Sequence, residues 1–195
     1  MKFIKYPYIN YTYLGILILS LILILPKWIL SFSLFDESMS LRVINEVSDN
    51  AYFPLINSFS DFNFSNSYSN NGVNLKLISY PIIGLLVNSF FFKILGSYSF
   101  FLLELLCTAL FLFLFYNIFL NINFNKITSF TLSVFLFILP SVLREFNFIN
   151  IDILKLLSLN FETFYSTRFP RPAISNLFFL VFFYLLLNFI KKKSI

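Results

Sequence analysis

The stretch YPIIGLLVNSFFFKILG, Tyr80–Gly96, decides how the rest of the chain is laid out. Its apolar run, Pro81–Leu95, falls short of the roughly 20 residues that a helix needs to cross a bilayer core. It opens on Tyr80-Pro81, carries Gly84, and contains Asn88, Ser89 and Lys93. On a helical wheel those polar residues cover one broad side, and apolar residues fill the other. This pattern predicts a helix lying in the membrane interface rather than one piercing it.

Outward from this segment, four longer apolar runs predict membrane spans: Tyr11–Leu30, Tyr98–Leu120, Ile127–Leu143 and Ala173–Ile190. Pro140 is expected to kink or terminate the third. Composition agrees with an integral membrane protein. Of 195 residues, 58% are hydrophobic, 22% aromatic and only 12% charged, against about a quarter charged in soluble domains. The 30 phenylalanines sit among Leu and Ile, as suits side chains facing lipid or neighbouring helices. The net charge of +5 comes from Lys and Arg flanking the apolar runs, so it reports topology and not nucleic acid. The expected fold is therefore an all-α membrane protein, multi-pass, with about four transmembrane helices and extracytoplasmic juxtamembrane helices. Its expected location is the plasma membrane of a bacterium or an ER-type membrane.

The number of spans sets which loops share a side. With a cytoplasmic N-terminus, four spans place Lys2, Lys5, Lys126 and Lys191–Lys193 inside. Five place Lys2, Lys5, Lys93, Arg144, Lys155, Arg168 and Arg171 inside. Six basic residues against seven leave both arrangements open.

Histidine is absent, which removes imidazole acid–base chemistry and imidazole metal ligands. The lone Cys107 lies in an apolar run, so no disulfide forms within the chain and a small buried side chain is expected. Lys2 and Lys5 before an apolar stretch resemble a signal sequence. No A-x-A-like site follows, however, and Pro26-Lys27-Trp28 has the character of an interfacial end. The first run is expected to remain as an anchor.

Residues 31–97 form the first long loop. Asp36 and Glu37 stand side by side at the lip of the first span, a costly position for two carboxylates. Asp36–Ser48 predicts a short amphipathic helix with Asp36 as N-cap, Glu37 in its first turn, and Leu41, Ile44 and Val47 at helical spacing. Asn57–Asn74, rich in Ser, Asn and Phe, predicts irregular loop. The second loop, residues 144–171, holds a possible interfacial helix at Ile149–Leu159. It ends in Thr167-Arg168-Phe169-Pro170-Arg171-Pro172, with Pro172 where a new helix would begin. Glu104 is expected to lie about 9 Å inside the second span, counting from its start at 1.5 Å per residue. There it would snorkel or pair with Lys93 or Arg144.

The order of these parts resembles the N-terminal part of the GT-C glycosyltransferases, polytopic enzymes that use polyprenyl-phosphate-linked sugars. The resemblance rests on a few residues. Phe35-Asp36-Glu37 stands where the family carries an acid at the start of its first extracytoplasmic loop. Tyr80-Pro81 through Leu95-Gly96 is similar to its second juxtamembrane helix and terminal glycine. Tyr98–Leu120, the Asn121–Lys126 link and Ile127–Pro140 resemble the helical hairpin that follows. Arg168–Pro172 stands where many members have Arg and Pro before the next span. The resemblance implies four spans, which puts the Asp36 and Arg168 loops on one membrane face.

It also implies roles. The family's loop acid acts as catalytic base or helps bind a metal, so a divalent metal is the one cofactor it allows. Asp36 is the first choice for the base and Glu37 the second, since glycosyl transfer needs an acceptor relieved of its proton. Arg168 and Arg171 would hold the lipid phosphate of the leaving group, whose oxygens match guanidinium geometry. Many members carry an Asp just after the Arg-Pro element, where this chain has Ala173. A second acid would then be Glu104, Glu145, Asp152 or Glu162. The implied partners are a polyprenyl-phosphate-sugar donor, a lipid or glycan acceptor and membrane lipids, with no nucleic acid.

Full enzymes of this family are much longer. The resemblance therefore implies an N-terminal piece, a truncated form or a small divergent relative. The competing expectation is a non-catalytic multi-pass protein acting as accessory or scaffold subunit, in which Asp36 only caps a helix and the arginines only anchor a span. Transport has less behind it, because the spans lack chains of ionisable residues or paired broken helices.

Overall fold

The computed structural model describes residues 11–33, 52–62, 82–96, 98–146 and 173–193, without the side chains of residues 31, 52–54, 141, 143–146 and 193. Among these the backbone forms six helices and no strand. They are α1 (Tyr11–Ser33), α2 (Tyr52–Ser60), α3 (Ile82–Leu95), α4 (Tyr98–Asn121), α5 (Lys126–Phe146) and α6 (Ala173–Lys193).

Three helices, α1, α4 and α6, are long and apolar enough to cross a membrane. With 23, 24 and 21 residues, they extend about 31–36 Å against a hydrocarbon core of about 30 Å. The apolar part of α5, Lys126–Pro140, is shorter. At 14 residues, α3 reaches only about 21 Å.

Prolines interrupt hydrogen bonding without ending helices. Pro26 lies inside α1 and Pro140 inside α5. Each deprives the carbonyl four residues earlier of its donor, yet both helices continue. Of the two expected effects of Pro140, termination of the third span is thereby corrected, since α5 runs on to Phe146.

The polar residues in these apolar helices largely satisfy themselves. Hydroxyls of Ser20, Ser89, Thr131 and Ser133 donate to carbonyls four residues back, as do the amides of Asn88 and Asn117. Such back-bonding lets a polar side chain sit in hydrocarbon without a distant partner.

The chain divides into two compact units. The first contains the start of α1 up to Leu23, α4 from Thr108, all of α5, and α6 from Asn176. Its core is Ile16, Leu112 and Tyr116, with Leu19, Leu23, Leu120, Phe130, Val134 and Phe137 packed around them. Tyr13 stacks on this core, its ring 5.3 Å from Phe113 and 6.2 Å from Tyr116.

The second unit contains α1 from Ile24, α2, α3, α4 up to Cys107, and α6 up to Ser175. Helix α2 packs against α3. Leu55, Ile56 and Phe59 on α2 and Leu85 on α3 are buried. The expected loop Asn57–Asn74 is corrected here, because residues 57–60 complete α2. Leu55, Ile56 and Phe59 follow helical spacing, and their burial outweighs the weak helix propensity of Asn57, Ser58 and Ser60.

Each turn has its own chemistry. Gly96 closes α3 at φ +56°, its N–H donating to the Phe92 carbonyl at 2.8 Å, the left-handed cap that favours glycine. Asn123 closes α4 at φ 74°. There Phe124 N–H reaches Phe119 O (3.2 Å) and Asn123 N–H reaches Leu120 O (3.1 Å). The rings of Phe119 and Phe124 meet at 5.9 Å, completing a Schellman motif with its hydrophobic contact. Asn125 then caps α5, its Oδ1 accepting from Thr128 N–H at 2.8 Å.

Candidate functional site

The second unit holds a polar knot where α1 meets α4. Lys27 is the sole charged residue of α1, and Glu104 the sole one of α4. Neither is stable alone in hydrocarbon, so two such helices gain by pairing them. Lys27 Nζ lies 2.9 and 3.1 Å from the two carboxylate oxygens of Glu104. Trp28 Nε1 donates to Glu104 Oε2 at 2.7 Å. The Lys27 side chain keeps 44% exposure and that of Glu104 16%, while Trp28 is buried at 1%. An ammonium and an indole N–H thus replace the water that the carboxylate gives up. Trp28, Phe32, Tyr98 and Phe101 form an aromatic cluster beside the knot, with ring centroids 5.6–6.4 Å apart.

The expected partner of Glu104 is therefore corrected. Lys93 does not pair with it. Its Nζ instead donates to the Ser60 carbonyl at 2.8 Å and lies 4.4 Å from the centre of the Phe62 ring. It caps the C-terminus of α2, where cations are favoured by the helix dipole. Arg144, the other expected partner, has its side chain outside the described residues. The usable signal in the sequence was that α1 and α4 each carry one charge of opposite sign.

Helix α3 segregates polar from apolar residues as expected, but two of its three expected water-facing residues turn inward. Asn88 and Ser89 are buried, together with Gly84 and Leu85, while Ile82, Ile83, Leu86, Phe90, Ile94 and Leu95 are exposed. Only Lys93 stays on the outside. An outward apolar face suits contact with lipid, and back-bonding removes the cost of burying most of the polar atoms. Two buried atoms in this unit, Asn88 Oδ1 and Ser99 Oγ, keep no hydrogen-bond partner. Cys107 is buried, as its apolar run predicts.

The other expected site residues lie outside the described residues: Asp36, Glu37, Asp152, Glu162, Arg168 and Arg171, together with the Glu145 side chain. So do the expected helices at Asp36–Ser48 and Ile149–Leu159. The described neighbours on either side are placed, however. Ser33, three residues before Asp36, ends α1, and Ala173, two residues after Arg171, begins α6. Both belong to the second unit, where Ala173 and Ile174 are buried. Of the expected acids, only Glu104 is seen, and both of its oxygens are engaged. No three His, Cys, Asp or Glu residues gather among the described residues.

Three helices able to cross a bilayer, with no strand among the described residues, define an all-α, multi-pass membrane protein. Comparison with protein families, characterised proteins and solved structures finds no match.

Proposed function

We propose that the chain is a GT-C-like membrane glycosyltransferase unit that moves a sugar from a polyprenyl-phosphate donor at one face of the membrane. The fourth span is α5, and α3 rests on the membrane surface. The observation that supports this reading is that Ser33 and Ala173 belong to the same compact unit. At no more than about 3.6 Å per residue, Asp36 lies within about 11 Å of Ser33 and Arg171 within about 7 Å of Ala173. Helix α3 supports it too. It begins and ends in that same unit and is too short to cross the core.

In this reading Asp36 takes the proton from the acceptor hydroxyl as the anomeric carbon is attacked. Glu37 is the alternate base. Arg168 and Arg171 hold the departing lipid phosphate. Sugar transfer by membranes containing the protein is expected to vanish with Asp36→Asn and to weaken with Arg168→Ala. A fully active Asp36→Asn variant removes Asp36 from the mechanism.

A second reading, an accessory subunit that packs against a larger partner, is favoured by α6. Phe178, Phe179, Phe182, Phe183 and Phe189 are all exposed along it. Membranes that show no transfer, and in which the chain co-purifies with a fixed partner, support that reading.

A further inference from the structure

At one end of the first unit, Lys191 of α6 meets the turn that leads from α4 to Lys126 of α5. Asn121 Nδ2 donates to Asn188 Oδ1 at 2.9 Å, and Lys191 Nζ approaches the Asn121 carbonyl at 3.4 Å. These contacts tie the end of α4 to the last turns of α6. The turn after Asn121 leads directly to Lys126, the first residue of α5. Lys126, Lys191 and Lys192 are all exposed.

No acid is near them in the chain. From Leu105 to Arg144 and from Ala173 to Ile195 there is neither Asp nor Glu. The first turn of α5 likewise lacks an acid, so this turn brings no carboxylate of its own to Lys126 at the positive end of the helix dipole. The same turn exposes apolar side chains. Ile122, Phe124 and Ile127 are all open to the surroundings. Cations mixed with outward apolar side chains at the end of membrane helices match a lipid interface, where ammonium groups reach phosphates and apolar groups enter the acyl region.

We infer that this end of the first unit binds the headgroup phosphates of anionic phospholipids through Lys126, Lys191 and Lys192. The ligand is a lipid and not a soluble anion, because Ile122, Phe124 and Ile127 gain nothing from a small hydrated ion. The inference is independent of the glycosyltransferase reading and does not use Asp36 or Arg168.

The test uses the full chain in nanodiscs of mixed phosphatidylcholine and phosphatidylglycerol, with retained lipid measured by native mass spectrometry. The wild type is expected to retain phosphatidylglycerol preferentially, and raised salt is expected to weaken that preference. The K126Q/K191Q/K192Q variant is expected to lose it by on the order of 100-fold, about fivefold per lysine. The K126R/K191R/K192R variant keeps the charge and is expected to keep the preference. An unchanged preference in the glutamine variant overturns the inference. So does a preference indifferent to salt, which decides the matter even where the glutamine variant fails to fold. Displacement of the lipid by inorganic phosphate would reassign the site to a free anion.

Discussion

The indole N–H of Trp28 donates to the carboxylate of Glu104 across 2.7 Å, the indole buried and the carboxylate partly so. Lys27, one residue earlier, grips the same carboxylate from its more exposed side. This holds the end of the first span against the start of α4. The long loop carrying Asp36 departs from just beyond it.

Replacing Glu104 should therefore cost more than replacing its ionic partner. Glu104→Ala leaves the buried Trp28 N–H without an acceptor, a penalty of about 1–3 kcal/mol. Lys27→Met should cost less, because a half-exposed ion pair is partly screened. Removing both charges with apolar residues is expected to recover part of the loss. Thermal unfolding in detergent gives the order. The chain has a single tryptophan, so its emission maximum should move to longer wavelength in Glu104→Ala as water reaches the indole.

Gly96→Ala should destabilise the protein by about 1–2 kcal/mol, the cost of a β-carbon in the left-handed region. An added Cβ meets nothing within 4 Å there, so the penalty is purely one of backbone conformation, and Gly96→Asn should cost less. Gly15→Ala is the control. It too meets nothing within 4 Å, and its φ is ordinary, so it should be neutral or stabilising by up to about 1 kcal/mol. Chemical or thermal denaturation of the three variants tests this ordering.

Lys93→Ala should loosen the end of α2. It loses a hydrogen bond to the Ser60 carbonyl and a contact with the Phe62 ring, the latter worth about 0.5–1 kcal/mol at an exposed site. Phe62 adopts φ 58°, an unfavourable conformation for a bulky residue, so the segment depends on such contacts. Faster amide exchange confined to α2 would bear this out. Unchanged exchange there would show that Lys93 is dispensable.

Asn121 and Asn188 bridge α4 and α6 inside the first unit. Asn188→Leu removes a bond of the kind that averages about 0.6 kcal/mol between membrane helices, with a maximum near 1.7. Its effect should be additive with Glu104→Ala, because the two sites share no partners. A double-mutant cycle with a large coupling energy would contradict the independence of the two contacts.

Much of the architecture was legible because hydrophobic length is a strong signal. The spans at Tyr11, Tyr98 and Ala173 follow directly from apolar runs long enough for a bilayer. The glycine after Leu95 marks the end of α3 for a plain steric reason. Less legible was the direction in which short polar side chains face. Asn88 and Ser89 suggest water on a helical wheel, yet a side chain that bonds its own helix can turn inward, and both do. Composition also misled at Asn57–Ser60, where three buried apolar neighbours hold the last turn of α2. At the candidate site, the importance of Glu104 was legible from its burial in a span. The single opposite charges of α1 and α4 point to its partner, but Lys27 between Pro26 and Trp28 also resembles an ordinary interfacial lysine.

In the proposed topology the loops carrying Asp36 and Arg168 open on one membrane face. Single cysteines at Asn66 and Ser166, introduced in a Cys107→Ala background, test it directly with a membrane-impermeant maleimide on intact cells or sealed vesicles. Both are expected to label from the same outer side, with no difference in sidedness. Labelling from opposite sides would mean that α3 crosses or α5 does not, and would separate the proposed base from the proposed phosphate ligands.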